Sequence, residues 1–98
     1  MMIVFEWDDA KASANLRKHG ISFESATLVF DDPDLVMLKD QVVDGEQRWQ
    51  AIGSARGAAI LLVVHTVNEH DDEDEIIRII SARPATRHEA LIYQSTHN

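Results

Sequence analysis

Cysteine is absent, which excludes a disulfide scaffold and any thiolate metal site and suits a reducing cytoplasm. No apolar run approaches the roughly 18 residues of a membrane span, and the N-terminal stretch M-M-I-V-F-E-W-D-D lacks the basic region of a secretory signal. The chain is therefore expected in the cytoplasm, with no membrane partner. Basic residues are scarce as well, nine against 17 acids for a net charge of −8. That balance counts against nucleic-acid binding, because neutralising phosphate normally asks for a basic patch. Five of the acids sit together at Asp71 to Glu75, however, and without them the balance is 9 basic against 12 acidic residues. The total thus overstates how repellent any one face is. The acidic run lacks the glycine at the sixth position and the glutamate at the twelfth that a calcium loop needs, so it reads as a solvated turn. No metal or cofactor is expected. Repeats and low-complexity linkers are also missing. With 98 residues, 45% of them hydrophobic, the chain is expected to form a single domain over residues 1–98.

What is present is organised around Ile76 to Glu89, which reads I-I-R-I-I-S-A-R-P-A-T-R-H-E. Four isoleucines within five residues predict a strand covered on both faces, since a half-exposed strand would alternate with polar residues. Thr86 followed three residues later by Glu89 predicts a capping box, with a helix beginning near Arg87 and an apolar run from Ala90 to Tyr93 behind it. A helix start carries unpaired donors and partial positive charge, so Arg83, Arg87 and His88 beside it are a candidate phosphate cradle. The competing reading makes these arginines surface ion-pair partners of the many carboxylates.

From the start of the chain, Met2 to Trp7 predicts a short strand. Asp8 is placed to cap a helix that stops at Gly20, with Arg17, Lys18 and His19 in its last turn, where cations complement the negative helix end. Ser22 is placed to cap a second helix, presenting Phe23, Ala26, Thr27 and Phe30 on one face, and Asp31-Asp32-Pro33-Asp34 ends it. Leu35 to Leu38 predicts another strand, and the polar, glycine-terminated Lys39 to Gly45 a loop. Arg48 to Ser54, the turn Ala55-Arg56-Gly57 and the apolar run Ala58 to Val67 predict a hairpin, joined through the acidic segment Asn68 to Glu75 to the isoleucine strand.

These hairpins predict which polar side chains meet. Antiparallel pairing with Val67 opposite Ile76 sets His65 opposite Arg78, and closing the preceding hairpin around Arg56 brings Gln47, with Glu46 and Arg48, alongside His65. A register error of one residue decides which of them shares its face. Glu46, Arg48, His65 and Arg78 thus form a candidate cluster, with Arg83 about 17 Å further along its strand at the usual rise per residue. One small phosphate cannot bridge both places, whereas an extended RNA strand can. Such a cluster has the parts for phosphodiester cleavage by a ribose 2′-hydroxyl without a metal: Glu46 or His65 as base or acid, and Arg48 and Arg78 to balance the charge building on phosphorus. The plainer reading is a structural histidine beside a cross-strand Arg–Glu pair.

Taken together, F-E-W-D-D-A-K-A-S-A-N-L-R-K-H-G-I-S-F-E-S-A, E-Q-R-W, V-V-H-T and I-R-I-I-S-A-R-P-A-T-R-H-E resemble the BrnT toxins of bacterial type II toxin–antitoxin systems, over nearly the whole chain. The resemblance implies an α+β fold similar to RelE-type ribonucleases. Its sheet would be antiparallel, of about four strands, with two N-terminal helices packed on it and a C-terminal helix, in the order β-α-α-β-β-β-α. It also implies an RNA-cleaving toxin that inhibits translation and is neutralised by a BrnA-like antitoxin, a ribbon-helix-helix DNA-binding protein. The toxin would occur as a homodimer or a hetero-oligomer with that antitoxin. Motif residues carried over are Glu46, Arg48, His65 and Arg78 for the chemistry, and Lys18, His19, Arg83 and Arg87 for RNA binding. Relatives are more basic around the last strand and helix, where this chain has no lysine. That departure keeps open a non-catalytic module acting only through protein partners, as corepressor of its antitoxin, and a weaker third reading as an anion-binding domain at the Arg83 to His88 helix start.

Overall fold

A computed structural model describes residues 2–69 and 74–96. The first strand, β1 (Ile3–Glu6), leads into α1 (Asp9–His19), whose Asp8 cap accepts the Lys11 N–H at 3.0 Å and whose C-terminus closes at Gly20 in the left-handed conformation. Ser22 caps α2 (Phe23–Thr27), which tightens at once into a 3-10 turn over Leu28–Asp31. The tightening changes which residues point inward. A continuous α-helix would bury Phe23, Ala26, Thr27 and Phe30; here Phe23, Ala26 and Val29, at three-residue spacing, are fully buried, and Phe30 is half-buried.

Four strands follow: β2 (Val36–Val43), β3 (Glu46–Ser54), β4 (Ile60–Glu69) and β5 (Glu75–Pro84), and then α3 (Arg87–Ser95). The expected loop from Lys39 to Gly45 is mostly strand. Only Asp44 and Gly45 turn, with φ of 50° and 78°, the two positive values of a tight hairpin whose twist matches its strands. The expected loop between β4 and β5 is shorter too: pairing continues out to Glu69 and Glu75, and residues 70–73 lie outside the described residues.

Among the described residues the sheet has five strands, ordered β1-β5-β4-β3-β2, instead of the expected four. It is mixed instead of purely antiparallel, because β1 pairs parallel to β5 at the edge, with Phe5 opposite Ile77 and Glu6 opposite Arg78. Between β1 and β5 the chain runs through α1, α2 and the strands β2 to β4, which gives the long crossover that parallel neighbours need. Helices cover one face unevenly. The larger core joins Phe23, Ala26 and Val29 to Ala51, Leu61, Val63, Ile77, Ile79 and Ala82, while α3 packs Ile92 and Tyr93 on the opposite face against Val36, Ile52 and Leu62. Of the four isoleucines of this strand, Ile77 and Ile79 are therefore buried, while Ile76 and Ile80 are half-covered. None of the helices among the described residues is long and apolar enough to cross a membrane.

Beyond β1 the edge of β5 is open, and Asn15 of α1 closes it. Its side-chain amide donates to Ala82 O at 2.8 Å and to Ile21 O at 2.9 Å, and its carbonyl accepts from Ala82 N–H at 3.1 Å. One amide so takes the place of a missing strand residue.

Candidate active site on the α3 face of the sheet

Opposed residues share a face and successive residues alternate, so register decides which side chains meet. Thr66 lies opposite Arg78, and His65 opposite Ile79 and Trp49. Both expected registers are off, the β4–β5 pairing by one residue and the β3–β4 pairing by two. A one-residue slip moves a side chain to the other face, and that happens here. His65 points into the helix-covered core, not toward Arg78.

There His65 is wholly buried, with its ring edge-on to Phe30 at 4.9 Å, and Phe30 in turn 5.4 Å from Phe5. Its Nδ1 is 3.3 Å from Val63 O, and since a carbonyl only accepts, that nitrogen carries the proton. Burial pushes its pKa below the ordinary histidine value, the backbone contact opposing only in part. In this position His65 is a neutral core residue.

The opposite face holds the other three members of the expected cluster. Glu46 and Arg48 lie on it by alternation along β3, and Arg78 by its pairing with Thr66. Arg78 Nη2 donates to Glu46 Oε1 at 2.5 Å, and Asn68 Nδ2 lies 3.5 Å from Glu46 Oε2. The pair is about one-third to two-fifths exposed. Continuing the Trp49–His65 register by one residue sets Arg48 beside Thr66, so Arg48, Thr66 and Arg78 form a single row across β3, β4 and β5. Thr66 was invisible as a site residue in the sequence, where it looks like one more β-branched strand residue. Only its neighbours mark it.

Ile80 is an extra residue on β5, because Val64 pairs with Ser81 and His65 with Ile79. Without that bulge, Arg78 and Arg83 would face opposite ways, being an odd number of residues apart. With it, Arg83 falls opposite Leu62 on the same face as Arg78. Arg83 is already engaged: its two terminal nitrogens donate to the two Glu89 oxygens at 2.7 and 2.9 Å. The same carboxylate accepts the Thr86 N–H at 2.8 Å and completes the capping box at the start of α3. The Arg83 guanidinium, with help from Thr86, holds the Glu89 carboxyl down at about 2. The expected phosphate cradle at this helix start is thus filled by the chain's own carboxylate. Arg87 and His88 are exposed there. Lys18 and His19 belong to neither place; they line a groove between α1 and the Ile80–Ser81 bulge.

The architecture defines a small mixed-sheet protein with helices on both faces and a cationic row beside a carboxylate on the uncovered part of one. The profile of the family described as ribonuclease toxin, BrnT, of type II toxin-antitoxin system matches residues 7–89, and the chain belongs to that family. In fold it is similar to the crystal structure of the Brucella abortus ribonuclease toxin BrnT, with a TM-score of 0.65 and 22% identity, covering 89% of this chain and 100% of that one. Comparison with curated proteins gives no match. Membership in a toxin–antitoxin family implies an antitoxin partner.

Proposed function

We propose that this protein is an endoribonuclease toxin that binds an extended RNA strand across the uncovered part of the α3 face and cleaves it without a metal ion, inhibiting translation. One observation supports this above the rest: Arg48 and Arg78 flank a common point on three adjacent strands, with the Glu46 carboxylate beside them and solvent in front. Glu46 takes the proton of the attacking 2′-hydroxyl. The new oxygen–phosphorus bond closes a 2′,3′-cyclic phosphate while Arg48 and Arg78 balance charge on the equatorial oxygens. The 5′-oxygen leaves with a proton drawn from solvent, since His65 lies on the other face. Binding of RNA displaces the Glu46 carboxylate from Arg78 and so frees it to act as base. The reading takes the sheet as the RNA platform, as in the RelE-type fold that the sequence resemblance implies, and neutralisation by a BrnA-like ribbon-helix-helix antitoxin completes it.

Expression of the wild type should arrest growth, and the purified protein should cleave RNA in the presence of a chelator. Arg78→Ala should lower the cleavage rate by about a hundredfold or more, the usual effect of losing one transition-state donor. Intact RNA and normal growth with folded wild-type protein would sink the proposal. A second reading, a non-catalytic corepressor of its antitoxin, is favoured by a separate fact. Arg78 and Arg83 are both neutralised by the chain's own glutamates, on a molecule of net charge −8. The same assay separates the two.

A further inference from the structure

Thr66 has no part in the chemistry just described, yet its setting is unusual. It is fully buried, and its hydroxyl has no hydrogen-bond partner among the described residues. Leaving such a group unpaired costs stability. The packing of α3 is with Val36, Ile52 and Leu62, so what surrounds Thr66 on this face is Val64 and Asn68 along β4, with Arg48 and Arg78 on the flanking strands. The aliphatic stems of two arginines are long enough to cover it.

Both of those arginines carry the complementary defect. Arg48 Nε and Arg78 Nε are buried, and neither has a partner among the described residues. An arginine Nε–H can only donate, and a threonine hydroxyl oxygen has two lone pairs to accept with. Two donors without an acceptor and one acceptor with room for two therefore stand in a single row. In this arrangement Glu46 draws the Arg78 terminus to itself.

We propose that Thr66 is the positioning residue of the site. When an RNA phosphodiester displaces Glu46 from Arg78, the Thr66 hydroxyl accepts the Nε–H of both Arg48 and Arg78 and holds their terminal nitrogens toward the phosphate at a fixed separation. The inference rests on the RNA-cleaving reading above and deepens it. It assigns the unpaired hydroxyl to the bound state, where preorganised guanidinium forks bind phosphate best.

The test uses an oligoribonucleotide methylated at every 2′-oxygen, which presents phosphodiesters but cannot be cleaved, with the arginine Nε–H resonances followed by NMR. In the wild type and in Thr66→Ser, both Nε–H signals should shift and exchange more slowly with water on binding. Thr66→Val keeps the branched shape and removes the acceptor. It should melt at the same temperature or higher, bind about a hundredfold more weakly, as for two lost charge-assisted hydrogen bonds of about tenfold each, and leave both signals unmoved. Thr66→Ala, a second acceptor-free variant, should match it in binding. Wild-type affinity in the two acceptor-free variants, or unmoved Nε–H signals in the saturated wild type, would overturn the role of Thr66. Cleavage of unmodified RNA keeps this distinct from the reading beneath it. Equal KM and kcat in the wild type and Thr66→Val defeat Thr66 alone, whereas a wild type that neither binds nor cleaves defeats the nuclease as well.

Discussion

At the scale of single residues, Asn15 and His65 show two ways of keeping a polar group inside. Asn15 satisfies itself and its surroundings: its amide meets both backbone groups of Ala82 and the carbonyl of Ile21. Asn15→Ala leaves those backbone groups buried without partners and should cost about 3 kcal/mol, read from urea denaturation; a loss below about 1 kcal/mol would show that water replaces the amide. His65 is kept inside by staying neutral. Its folded pKa lies below the ordinary value of 6.5, so the unfolded chain binds the proton more readily. The linkage sign follows: this contribution is complete above about 6.5 and is lost as pH falls below it. The melting temperature should drop from pH 7 to pH 5, and His65→Gln, which cannot ionise, should lose that part of the slope.

At the scale of elements, the tightening of α2 into a 3-10 turn sets how the helical layer meets the sheet. The turn lies so close to β3 that a Cβ at position 53 would stand 3.1 Å from Val29 Cβ and 3.2 Å from both Val29 O and Leu35 Cδ1. Gly53 therefore lets the turn approach, and Gly53→Ala should destabilise by about 1–3 kcal/mol through forced backbone movement. Thermal unfolding checks this, and an unchanged melting point would mean the turn can lift without loss. The last helix is held by different means. Beside the Arg83–Glu89 pair, Tyr93 donates to Asp32 Oδ2 at 2.6 Å, an oxygen that also accepts the Ser54 N–H at 2.8 Å. No residue of α3 is fully buried, so these polar ties supplement a thin apolar contact.

At the scale of the whole molecule, the proposed function brings a phosphate ligand to a chain with an excess of eight negative charges. The fold sets Arg48 and Arg78 in one row and pairs Glu46 with Arg78. If those two arginines carry the phosphate contacts, few counterions are released. The slope of log affinity against log salt should then be shallow, about −1.4 at roughly −0.7 per contact on a single strand. Fluorescence anisotropy at several salt concentrations measures it, and Arg78→Ala should remove about half. A slope near zero would place the RNA elsewhere, and one of about −4 or steeper would require cations beyond this row.

Local signals in this chain were legible without coordinates because they act over a few residues. Asp8, Ser22 and the Thr86–Glu89 box cap their helices, Gly20 ends the first, and the order of elements follows from apolar period and turn residues. The Asp44-Gly45 turn is a local signal too, but the polar residues before it suit a solvent-facing edge strand as well as a loop. The family could be read from the motif run alone. What depended on tertiary structure is register and edge. A bulge at Ile80 and a one-residue slip, neither marked by composition, send His65 into the core and align Arg48, Thr66 and Arg78. The physical reason is that strand faces repeat every two residues. Local sequence therefore tells what a strand can present, but only the pairing of strands distant in the chain decides which side it is presented on.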